Sequence, residues 1–154
     1  MAAAVTVFGF TSVFIVNSQC FQISETTRHI NLANRVLQER IDSLRSGSGT
    51  MLFSGTSSNT TITTGSLQTL VSHPTLSATS NFIVSGTETI VVSDTGGTIT
   101  IVRNALSSGI LSANGAASVS SPVTVQVRLD WTENNSGASR NDSQSMVSVV
   151  SNTQ

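Results

Sequence analysis

The chain begins with an uncharged, mostly apolar stretch from Ala2 to Val16. Its length of about 15 residues is short of the ~20 that a helix needs to cross a hydrocarbon core. A signal peptide has an apolar centre of similar length, but no Lys or Arg precedes this stretch, and the following pattern continues it. We therefore expect the stretch to be the first part of a longer helix.

An amphipathic pattern follows, in which apolar residues recur every seven positions and two more fill the intervening places. This spacing predicts one continuous helix with an apolar face. Charged residues, including Arg35, Glu39 and Arg40, are expected on its solvent face. The helix should end near Arg45, because the glycines of Ser-Gly-Ser-Gly after it favour termination. The apolar positions are Val16, Ile23, Ile30, Leu37 and Leu44, with Ala33 and Ile41 between them.

After Gly49 the pattern changes to short β-type runs separated by Gly, Ser, Asn and Asp, which indicates strands. The clearest hairpin has Asp94-Thr95-Gly96-Gly97 as its turn, where the glycines permit positive φ. In residues 123–131 apolar and polar residues alternate, so one face should be core and the other solvated. Residues 107–121 are expected to be a mobile surface loop, and 132–142 the loop before the last strand. The predicted strands are 60–64, 67–71, 81–85, 87–93, 98–103, 123–131 and 144–150.

These elements predict an α+β fold in which a long N-terminal helix, residues 1–46, packs on a small antiparallel β-sheet head, residues 47–154. Within the helix, residues 1–19 form an apolar part for a membrane or a filament core, and residues 20–46 form an amphipathic part that packs on the head. The residues assigned to the membrane or assembly role are Val7, Phe8, Phe10, Val13, Phe14 and Val16. The residues assigned to helix-to-sheet packing are Ile23, Ile30, Leu37, Ile41 and Leu44.

Charge and composition restrict the possible functions. The net charge of -1 offers no basic surface for nucleic acid. Cys20 is the only cysteine, which excludes an internal disulfide and a multi-cysteine zinc site. Asp130, Glu133 and Asp142 could converge on a calcium ion, but without an Asp-x-Asp-x-Asp-Gly run solvated loop charges are the favoured interpretation. No catalytic set, phosphate loop or small-molecule site is evident, so the chain is predicted to be a non-enzyme without a cofactor.

The overall pattern resembles the type IV pilin and type II secretion pseudopilin family. Residues 31–45, Asn-Leu-Ala-Asn-Arg-Val-Leu-Gln-Glu-Arg-Ile-Asp-Ser-Leu-Arg, are similar to the helix end of minor pilins and minor pseudopilins. Residues 123–132 resemble that family's closing hairpin, in which a valine-rich strand ends in Trp-Thr. Residues 50–120 show no such match. The family's basic leader, processing site and acidic residue are not intact here, so we expect Met1 to lie inside an originally longer apolar helix.

The resemblance implies a non-catalytic structural subunit of a bacterial envelope filament, either a minor type IV pilin or a minor pseudopilin at the cell surface. Its partners would be other pilin or pseudopilin subunits, and the inner membrane before assembly. This predicts a single-pass inner-membrane protein with a periplasmic or extracellular head. One alternative is a phage or surface fibre or adhesin protein whose N-terminal helix forms a parallel coiled coil. Another is a membrane-anchored binding domain that recognises a ligand through residues 107–121.

Overall fold

A computed structural model of the chain describes residues 2–46, 61–71, 83–107, 109–135 and 138–151. One long helix precedes two antiparallel sheets, which confirms the α+β class and the long N-terminal helix. The chain forms two compact units, Met1–Asn34 and Arg35–Gln154. The elements in chain order are α1 (Ala2–Ser46), β1 (Thr61–Thr63), α2 (Thr64–Leu70), β2 (Ile83–Ser93), β3 (Thr98–Asn104), β4 (Ile110–Gly115), β5 (Ser118–Ser120), β6 (Val123–Asn135) and β7 (Ala138–Val150).

The larger sheet has five antiparallel strands in the order β4-β3-β2-β6-β7. The predicted hairpin is present, since β2 and β3 pair from Thr87 with Asn104 to Ser93 with Thr98. Strands β6 and β7 pair from Val123 with Val150 to Asn135 with Ala138. The last two strands are therefore much longer than predicted, and most of the expected loop at 132–142 is strand.

The smaller sheet pairs β1 with β5. Two segments near these strands, residues 67–71 and 107–121, differ from the sequence prediction. Residues 67–71, predicted to be a strand, lie in α2 and at its end, because Thr63 and Ser66 form a reciprocal capping box that starts a helix. The expected loop at 107–121 contains β4 and β5. Strand β4 pairs with β3, which precedes it in the chain, and β5 pairs with the distant strand β1; composition reveals neither pairing.

The core of the Arg35–Gln154 unit contains the end of α1. Leu37, Ile41 and Leu44 are buried there. Ile30 is half-buried and Ile23 is 66% exposed.

Candidate assembly surface

The first half of α1 exposes nine large apolar side chains to solvent. Their exposed fractions run from 53% at Ile15 to 82% at Phe14. All six residues predicted for the membrane or assembly role are among them, and the sequence prediction did not include Ile15 and Phe21. We call this set the apolar helix surface: Val7, Phe8, Phe10, Val13, Phe14, Ile15, Val16, Phe21 and Ile23.

The apolar helix surface runs around the whole circumference of the helix. With successive residues turned by roughly 100°, Phe8 lies at roughly 100° from Val7, Val16 at roughly 180° and Phe10 at roughly 300°. A helix that packs against one neighbour has one apolar stripe, whereas a helix that is apolar all round is covered on all sides. One neighbouring surface therefore cannot cover all nine side chains.

Three hydroxyl groups in and just after this region donate hydrogen bonds to carbonyls of their own helix. Thr11 Oγ1 donates to Val7 O at 2.7 Å, and Ser12 Oγ donates to Gly9 O at 2.9 Å. Thr27 Oγ1 donates to Ile23 O at 2.8 Å. A hydroxyl that keeps its hydrogen bond loses less free energy when it is removed from water. The surface can therefore be buried without leaving these donors unpaired.

The structure does not support the predicted membrane anchor. Among the described residues, no helix is long and apolar enough to cross a membrane. The prediction of a single-pass inner-membrane protein is therefore wrong. The physical reason is length, because the uncharged apolar stretch ends at Val16 and the polar residues Asn17, Ser18 and Gln19 follow it.

A buried ion cluster fixes the end of α1 to the sheet. Arg40 donates to Glu88 of β2 through two nitrogens, with Nε to Oε1 at 2.9 Å and Nη2 to Oε2 at 3.2 Å. Arg103 of β3 places Nη1 at 3.4 Å from Glu88 Oε2. Glu88 and Arg103 are fully buried and Arg40 nearly so. Arg40 was expected on the solvent face of the helix, and the cluster shows that this expectation is wrong.

Arg103 has further partners inside the protein. Its Nη1 donates to the carbonyl of Val71, and its Nη2 donates to the carbonyl of Ser107 at 3.0 Å. Burial lowers the pKa of the Arg103 guanidinium below its ordinary value, while the negative charge of Glu88 acts in the opposite direction. The cluster thus connects α1, β2, β3 and the segment after α2. It is a structural connection, since its charged groups are closed off from solvent.

The three acidic residues considered for calcium have protein partners. Asp130 accepts hydrogen bonds from Arg128, which raises the pKa of Arg128, and Arg140 lies 3.0 Å from Asp142. Glu133 is buried. Within the part of the chain that the structure describes, no group of three His, Cys, Asp or Glu side chains could hold a metal ion. A shallow polar depression of about 410 Å³ lies at Arg128, Asp130 and Asp142.

No protein-family model, curated protein or solved structure matches this chain. The resemblance to pilins and pseudopilins therefore stays a prediction, based on the helix end at residues 31–45 and the strand at residues 123–132.

Proposed function

We propose that this chain is a non-catalytic structural subunit of a filament, similar to a minor pilin or minor pseudopilin, that assembles through the apolar helix surface. The observation that carries the proposal is the exposure of nine large apolar side chains around one helix. Full burial of each contributes roughly 1.5–3 kcal/mol. Together the nine contribute roughly 14–27 kcal/mol, which matches or exceeds the ~4–15 kcal/mol that association costs in lost freedom, so burial by other copies would be favourable.

The positions of the apolar side chains around the helix also argue against the alternative, a fibre or adhesin protein with a parallel coiled coil. A coiled coil buries one seam, which here would run through Val16 and Ile23. Phe14 lies roughly 160° and Phe10 roughly 120° around the helix from Val16, so both would stay in water. Packing among several helices in a filament core covers all of these side chains, and we therefore favour it.

The first test substitutes Phe14 by Asp in the full-length chain. Phe14 is 82% exposed in the isolated subunit, so the substitution should leave the melting temperature of the Arg35–Gln154 unit, which we call the sheet unit, unchanged. In a filament core it buries an unpaired carboxylate, which costs several kcal/mol, and assembly should be lost. Assembly is measured by sedimentation and by electron microscopy of the pellet.

Two control variants separate charge from position. Phe14→Leu keeps an apolar side chain and should assemble, and Gln38→Asp adds the same charge at an exposed site of α1 and should also assemble. Leu37→Asp should behave in the opposite way to Phe14→Asp, because Leu37 is fully buried and its loss destabilises the sheet unit by at least about 3 kcal/mol. If Phe14→Asp assembles like the unmodified chain, the proposed function is wrong.

A further inference from the structure

Strand β7 forms a long edge of the five-stranded sheet in the described chain. It has 13 residues, and it pairs with β6 in one continuous register. Alternate residues of an edge strand direct their N–H and C=O groups away from the sheet, where another strand can pair with them. Protected edges carry Pro, Lys or a bulge, and β7 has none of these. The outer edge of its C-terminal half, residues 143–150, is therefore able to accept a further strand.

The C-terminal half of β7 has the properties of a contact surface. Val147 and Val149 lie on the solvent-facing side of the sheet and are 58% and 61% exposed. Residues 143–150 carry no charge, so two copies of this segment can approach without repulsion. The charges of β7, Arg140 and Asp142, lie at its other end and form an ion pair at 3.0 Å.

We propose that β7 pairs antiparallel with β7 of a second copy of the chain, with Ser148 opposite Ser148. In this register Val147 of each copy lies opposite Val149 of the other, and Met146 lies opposite Val150 on the other face. A shift of two residues in either direction leaves a valine of each copy opposite Ser145 or Ser151. The register with Ser148 opposite Ser148, which we call the two-fold register, is thus the one in which both exposed valines of each copy lie opposite valines.

The opposite edge of the sheet is a less suitable partner for β7. Strand β4 has only 6 residues, and its pairing with β3 is irregular between Val102 and Arg103. It ends at Gly115, which has a positive φ of 115°. A β7-to-β4 contact would join two different edges and would leave one edge of each copy open. The two-fold contact instead pairs identical strands and needs one kind of interface.

Cysteine cross-linking of the full-length chain tests the register. The variant Cys20→Ser with Ser148→Cys places two thiols opposite each other at a Cα separation of ~4.5–5.5 Å, within the range of a disulfide. We expect a covalent dimer after mild oxidation with diamide, seen by mass and on a non-reducing gel. The control is Cys20→Ser with Ser145→Cys, whose thiols would lie ~20 Å apart along the strands and should stay unlinked.

A second set of variants separates this contact from the proposed helix assembly. Adding Val147→Lys and Val149→Lys to the Ser148→Cys chain should lower the cross-linked yield by roughly tenfold, since like charges then meet across the strands. Adding Phe14→Asp should leave the yield unchanged, because β7 pairing does not depend on the proposed function. A Ser148→Cys chain that stays monomeric, or that links only to a copy with Ser112→Cys in β4, would overturn the two-fold pairing.

Discussion

Substitution of Glu88 by Gln is the sharpest test of how α1 is held to the sheet. The change keeps the shape of the side chain and removes its charge, so the buried cations Arg40 and Arg103 lose the carboxylate that they share. Both are closed to solvent, with exposed fractions of 7% and 0%. We expect this variant to be among the most destabilising single substitutions in the Arg35–Gln154 unit.

The geometry gives the size of the effect. With an effective dielectric constant near 20, separations of 2.9 and 3.4 Å correspond to roughly 6 and 5 kcal/mol of attraction. The intact cluster gains little net stability, because removing three charges from water offsets most of this attraction. Loss of the shared anion leaves that desolvation cost unbalanced, and measured cases of this kind cost about 3–5 kcal/mol. The free energy of unfolding should fall by that amount.

Trp131 allows the measurement, because it is the only tryptophan and is 3% exposed inside the sheet unit. Its indole Nε1 donates to Glu133 Oε1 at 2.7 Å, so unfolding should change its fluorescence. The control is Glu39→Gln, which removes the exposed Arg35–Glu39 pair on the same helix and should cost less than about 0.5 kcal/mol in urea unfolding. A Glu88→Gln variant that loses less than about 1 kcal/mol would refute the reasoning.

Two further predictions concern the turns beside the sheet. Gly115→Ala should destabilise by roughly 2 kcal/mol, because Gly115 has positive φ and an added Cβ would lie 2.0 Å from Thr98 O; Gly96→Ala, which meets only ordinary contacts, is the control in urea unfolding. Asp94 accepts hydrogen bonds from the amides of Ser120, Gly96 and Gly97, which hold its pKa below the ordinary value of 3.8. Asp94→Asn should therefore be less stable than the unmodified chain at neutral pH, and the difference should disappear as the pH falls below 3.8 and through the lowered pKa; a constant difference would contradict this.

The periodic parts of the fold could be predicted from the sequence, and the parts made by distant contacts could not. A seven-residue repeat of apolar residues was sufficient to predict the 45-residue helix. Short β-type runs on either side of a glycine-containing turn were sufficient to predict the β2–β3 hairpin. The turn of that hairpin was predicted for the wrong reason. Among the described glycines only Gly115 has positive φ, whereas at Gly97 an added Cβ would lie 2.8 Å from Ala116 Cβ. Gly97 is therefore required by its close packing against Ala116, and the sequence of the hairpin alone does not reveal this contact.

The buried ion cluster did leave a signal in the sequence. Glu88 occupies the same alternating positions as Ile90 and Val92 in β2, and Arg103 follows Ile99 and Ile101 in β3. Two opposite charges at core positions of paired strands indicate a buried ion pair, since neither could be buried alone. Arg40 gave no comparable signal, because its helix also carries exposed Arg side chains and the side that faces the sheet depends on tertiary packing.

The distribution of phenylalanine is a further reason to assign the apolar helix surface to assembly. The buried apolar residues of the described chain are Val, Ile, Leu, Ala and one Trp, with no Phe among them. Four of the six Phe residues, at positions 8, 10, 14 and 21, lie in the part of the chain that the structure describes, and all four are exposed on α1, with fractions of 68% or more. Folding gains nothing from large apolar side chains that stay in water, and solubility suffers from them. Their concentration on a helix without a charged side chain before Glu25 supports the proposed burial against other subunits.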